Sequence, residues 1–124
     1  MRWSFPLPAA FAAEKAEFVY FDVSSKGYGS HSEGYGTIAA GKYQHTQGAY
    51  NIEDANDKYL HIVGNGKTDT SRSNAHTLDW DGNAWYQGTV EGTAMIVKSS
   101  TEGSTKRFKL TVDDSGTITA TEVT

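Results

Sequence analysis

The sequence contains no cysteine, two prolines and four leucines, and no apolar run approaches the ~20 residues of a membrane-spanning helix. Membrane insertion is therefore not expected. The missing cysteines exclude a disulfide framework, thiolate chemistry and cysteine-ligated zinc, and leave the redox compartment open. A basic patch is missing too. Lys26, Lys42, Lys58, Lys67, Lys98, Lys106 and Arg107 are scattered, and the net charge is −4. Neutralising a run of phosphates requires clustered cations, so nucleic acid is not an expected partner. At 124 residues the chain fits one domain, or one structural region plus an arm, and a large partner must be met on its surface.

What is present points to strands. Hydrophobic residues make up 37% and are spread among 13 glycines and many Thr, Ser, Asn and Asp, while aromatics reach 12%. This is the balance of short strands and tight turns. So few large aliphatic residues give a monomer a thin core, which burial between identical subunits would supplement.

Three zones follow one another. Residues 1–26 read as an N-terminal arm or docking segment. Within it the Ala-rich residues 8–16 can form one or two helical turns, and Glu17-Phe18-Val19-Tyr20-Phe21-Asp22-Val23 is strand-like. The apolar residues 3–11 followed by Ala12-Ala13-Glu14 have the outline of a secretory signal, but the two prolines and the short apolar stretch argue against one.

Residues 27–98 are a Gly-punctuated series of short strands. Compared with itself at an offset of 14 residues, the chain lays Gly27-Tyr28-Gly29-Ser30-His31-Ser32-Glu33-Gly34 over Gly41-Lys42-Tyr43-Gln44-His45-Thr46-Gln47-Gly48, matching Gly to Gly and His to His. A 14-residue unit is too small to bury a face alone, so successive units must stack, with small residues such as Ser32, Ala39, Ala40 and Thr46 in a cramped interior. Further on, Ala75, Thr77 and Asp79 alternate with His76, Leu78 and Trp80 before Asp81-Gly82. That pattern predicts a hairpin with a Trp80/Trp85 aromatic pair near its end. Residues 99–124 contain two strands joined at Asp113-Asp114-Ser115-Gly116, with Phe108, Leu110 and Val112 on one face of the first.

Ser30-His31-Ser32-Glu33-Gly34, and more loosely Thr37-Ile38-Ala39-Ala40-Gly41, resemble the head repeats of trimeric autotransporter adhesins. The run from His45 to Gly88, including Gly64-Asn65-Gly66, Arg72-Ser73-Asn74-Ala75 and Asp79-Trp80-Asp81-Gly82-Asn83-Ala84-Trp85, is similar to segments of phage tail-fibre and appendage proteins. Residues 103–124 are similar to the endings of small phage structural proteins. Adhesin heads usually carry aliphatic residues where this chain has His31 and Glu33, and neither a heptad stalk nor a membrane anchor follows. The resemblance thus implies a fibre segment: left-handed β-rolls in an intertwined homotrimer, attached to other virion structural proteins, located on the virion and exposed to the outside.

Chemistry-bearing groups are few. His31 and His45 occupy equivalent repeat positions, and in a three-fold assembly each would form a ring of imidazoles suited to a metal ion. The alternative is a histidine bonded to Glu33, Gln47 or a neighbouring chain. Asp79-Trp80-Asp81-Gly82-Asn83 starts like an EF-hand loop, but its twelfth position is Val90, so a turn is expected. Gly64-Asn65-Gly66-Lys67-Thr68 ends like a phosphate-binding loop, but the motif's first glycine falls on His61. Glu53, Asp54, Asp57, Asp69, Asp79 and Asp81 lie in turn-like stretches. No catalytic residue and no cofactor is expected. Tyr35, Tyr43, Trp80, Trp85 and Tyr86 are candidates for stacking on sugar rings of a host cell-surface glycan, or for packing between chains.

The expected architecture is all-β: a β-roll or solenoid of short strands in a homotrimer, with a C-terminal β-hairpin. The expected role is structural, with host attachment as an added function. The alternatives are a depolymerising tailspike fragment and a monomeric carbohydrate-binding module.

Overall fold

Glycine turns limit most strands to a few residues, and every element among the described residues is a strand. The structure, a computed structural model, describes residues 23–124. The helical turns expected over residues 8–16 lie outside them, as do most of the arm and of the strand expected over 17–23. No described helix is long and apolar enough to cross a membrane. The all-β expectation thus holds, in several open sheets. Two compact units divide between Gly88 and Thr89.

The first unit contains β1 (Ser24–Ser25), β2 (His31–Ser32), β3 (Ile38–Ala39), β4 (His45–Ala49), β5 (Tyr59–Asn65), β6 (Asn74–Asp79) and β7 (Ala84–Tyr86). β1 pairs with β3 in parallel, Ser24 opposite Ile38. β2 pairs with β4 in parallel, His31 opposite His45. Both registers equal the 14-residue offset of the sequence. β4 then pairs in parallel with β5, His45 opposite His61, an offset of 16. Antiparallel β6 and β7 complete the five-stranded sheet β2-β4-β5-β6-β7. The hairpin expected around Asp81-Gly82 is therefore present. Its two indoles take different neighbours: Trp80 stands against Tyr43, with centroids 6.4 Å apart, and Trp85 faces Thr77.

The interior of this unit is mostly polar. Among described apolar side chains only Ala39 and Ile62 are buried, against Thr37, Gln44, Thr46, Asn51, Asp54, Asn74 and Thr77 among polar ones. Buried polar groups are tolerated when bonded, and Thr37, Gln44, Thr46, Asn51, Asp54 and Asn74 all are. Asn51 accepts from Ile38 N at 2.8 Å and donates to Ile38 O at 3.0 Å, as a neighbouring strand would. Gln44 accepts from Ala40 N and donates to Asp54 Oδ2 and Tyr59 O. Thr46 donates to Ser32 Oγ, and Thr37 donates to Glu33 O. Each hydroxyl has one proton, so the 2.8 Å contact between Ser32 and Thr37 must run from Ser32 to Thr37. Asp54 also accepts from Asn56 N, Lys58 N and Tyr59 N, pinning the loop that holds the two extra residues before β5.

Glycines set how closely the repeats approach. Gly48 has φ +92°, and a Cβ there would collide with the carbonyl oxygen of Gly64, just as one at Gly34 would meet that of Gly48. The left-handed turn residue Gly29 (φ 68°) recurs one repeat later as Tyr43 (φ 57°). The ring of Tyr43 lies over the space that a Gly29 side chain would fill.

The second unit is a three-stranded antiparallel sheet of β8 (Met95–Lys98), β9 (Arg107–Val112) and β10 (Ile118–Glu122), in the order β10-β9-β8. The expected C-terminal hairpin is its β9-β10 part. Residues directly opposite share a face, so the registers gather Met95, Val97, Phe108, Leu110, Val112, Ile118 and Ala120 on one side, with Glu122 beside Phe108 at its end. Ile96, Lys98, Arg107, Lys109, Thr111, Thr119 and Thr121 occupy the other.

Candidate functional site

Parallel pairing in register places equivalent residues of successive strands side by side. His31, His45 and His61 thereby become neighbours on β2, β4 and β5. Antiparallel β6 adds His76, and β7 adds Tyr86. All four histidines of the chain form one file, with ring centroids 4.9 Å apart for His31 and His45, 5.3 Å for His45 and His61, and 5.6 Å for His61 and His76. Tyr86 closes it, stacked on His76 at 4.4 Å. The offset of 14 marked His31 and His45. His61 escaped because its offset is 16, and His76 because its strand runs the other way.

The file is anchored along its length. Glu33, two residues after His31 and so on the same side of the strand, accepts from His45 Nε2 at 2.9 Å and lies 3.7 Å from His31 Nε2. His61 Nε2 donates to Gln47 Oε1 at 3.2 Å. His76 Nδ1 donates to the Trp85 carbonyl at 3.0 Å. Burial, followed by the nearby His45 and His76, holds the pKa of His61 below the ordinary histidine value. Each of these disfavours the charged form of His61.

A cleft of about 570 Å³ opens beside the β6-β7 hairpin, lined by Lys58, Asn74, Asp79, Asn83, Trp85 and Gln87 among others. Its Asp79 carboxylate is already engaged, accepting from Asp81 N, Asn83 N and Asn83 Nδ2 at 2.9 to 3.1 Å. Those bonds, with Asn83 first, hold the Asp79 pKa below the usual carboxylate range. This carboxylate forms the expected turn and is poorly suited to acid–base work.

The five aromatic candidates do not converge. Trp85 lines the cleft. Tyr86 belongs to the histidine file, while Tyr43 and Trp80 meet each other, with Tyr28 edge-on to Tyr43 at 5.9 Å. Tyr35 lies against Tyr50 at 5.5 Å. All five are about half exposed. Arg72 packs over the Tyr50 ring and donates to the Gly36 and Asn51 carbonyls. Comparison with protein-family models, curated proteins and solved structures finds no match for this chain.

Proposed function

We propose that the chain is a structural component of a bacteriophage tail fibre or similar virion appendage. In this reading it works as a homotrimer in which the 14-residue repeats continue as a β-roll. The observation that carries the proposal is the apolar face of the C-terminal sheet. Met95, Val97, Val112 and Ile118 are between 42% and 69% exposed in the single chain, and no other strand belongs to that unit. A three-stranded sheet needs a covered face for stability in water. Identical faces of two further copies supply that cover with the closed symmetry usual for homo-oligomers. The polar, hydrogen-bonded interior of the repeats supports the same reading, since a thin coil gains little from apolar burial within one chain.

Host-surface contact fits the cleft. Its volume lies in the range of small-ligand sites, Trp85 offers a ring face for a sugar, and Lys58, Asn83 and Gln87 offer polar partners. Three copies of a weak site would add avidity. The depolymerising alternative is disfavoured by the engaged Asp79.

Light scattering on the purified chain tests the assembly. The expected molar mass is three times the 13.5 kDa of one chain, stable on dilution. A mass of one chain would overturn the trimer, and the fibre role with it.

A further inference from the structure

We infer that His31, Glu33 and His45 form a binding site for a first-row divalent transition-metal ion, with zinc as the representative. The site stands on one chain alone and is independent of the trimer. Parallel register brings the two imidazoles together, and the period of two along the strand brings the carboxylate to them. One ligand atom from each residue lies within 4.8 Å of the others. Zinc bonds nitrogen and oxygen at ~2.0 to 2.2 Å, so two ligands of one ion sit roughly 3 to 3.5 Å apart. The distances of 2.9 Å from Glu33 to His45 and 3.7 Å from Glu33 to His31 bracket that spacing, and the two imidazoles, within 4.8 Å of each other, close on the ion by side-chain rotation, chiefly of the exposed His31.

The donor set selects the ion class. Two imidazoles favour zinc, nickel, copper or cobalt over calcium and magnesium, which prefer oxygen. Three protein ligands on one side leave the outward positions for water. In the metal-free chain a proton on His45 Nε2 bridges to the Glu33 carboxylate. The ion takes that place, and the neutral ring keeps its single proton on Nδ1 instead. His61, packed against His45 at 5.3 Å, limits where that ring can turn.

The test uses the untagged full chain, titrated with zinc by calorimetry at pH 7.5, and with cobalt by visible absorption. One ion per chain is expected. Loss of an outer-shell partner already costs roughly 10- to 100-fold in metal affinity, so His31→Gln and Glu33→Gln should each weaken binding by more than about tenfold. His76→Gln, outside the triad, should leave it unchanged. In case a variant fails to fold, histidine ring NMR of the unaltered chain decides independently: zinc should shift the His31 and His45 signals and spare His76. No uptake of zinc, or uptake indifferent to both ligand substitutions, would overturn the site. So would one ion per three chains, which marks a ring of histidines across subunits instead.

Discussion

At the scale of single residues, the repeat is enforced by a few positions that accept almost nothing else. Gly48 combines a left-handed φ with contact against the Gly64 carbonyl, so Gly48→Ala must either distort the turn or separate β4 from β5. The expected loss of stability is about 2 kcal/mol or more, read as a lower urea midpoint with unchanged slope. A midpoint equal to that of the unaltered chain would show the turn to be looser than described. Asn51 is the polar counterpart: it serves both backbone groups of Ile38, and removing it leaves a part-buried N–H and C=O each short of a partner. The sequence announces Gly48 through its match to Gly34. It does not announce Asn51, because an asparagine between strands reads as a turn residue until the fold encloses it.

At the scale of elements, two hairpins use one turn design. Asp79 and Asp113 each accept from the N–H groups two and four residues on, with Gly82 and Gly116 in the left-handed conformation. Both carboxyls titrate below their ordinary value, Asp79 chiefly through Asn83 and Asp113 chiefly through Ser115. Their contribution is present above the unfolded carboxylate pKa and is lost in strong acid. His61 acts at milder pH. The pKa of His61 is lowered in the folded chain, so the unfolded chain takes the proton first. Stability is therefore full above the ordinary histidine pKa of ~6.5 and declines as pH falls from there toward the lower folded value. Denaturant midpoints measured from pH 8 to pH 5 should fall across that window, and His61→Gln should reduce the decline. A flat profile would show that neither burial nor the neighbouring rings holds the His61 pKa down.

At the scale of the whole molecule, the apolar face of β8, β9 and β10 decides between a lone chain and an assembly. Val112 is 63% exposed in the single chain, so Val112→Lys costs the isolated sheet little. Between subunits the same lysine would be a buried, unpaired charge. If the proposed trimer forms, sedimentation velocity should show the unaltered protein at the mass of three chains and the variant as folded single chains. An unchanged sedimentation coefficient would remove this face from the interface. The zinc measurement stays informative in either case, because its three ligands come from one chain.

The strand content, the 14-residue register and the position of the last hairpin were legible in the sequence. Each rests on local physics: glycine where φ is positive, alternation with the pleat, and an Asp-to-Gly spacing that closes a turn. Two features were decided only in three dimensions. The change from a 14- to a 16-residue offset, followed by reversal of strand direction at β6, brings His61, His76 and Tyr86 into line with His31 and His45. Such alignment depends on register between strands, which no window of sequence contains. Likewise β8 joins the C-terminal sheet across an intervening loop, and only that pairing turns three short apolar runs into one continuous uncovered face.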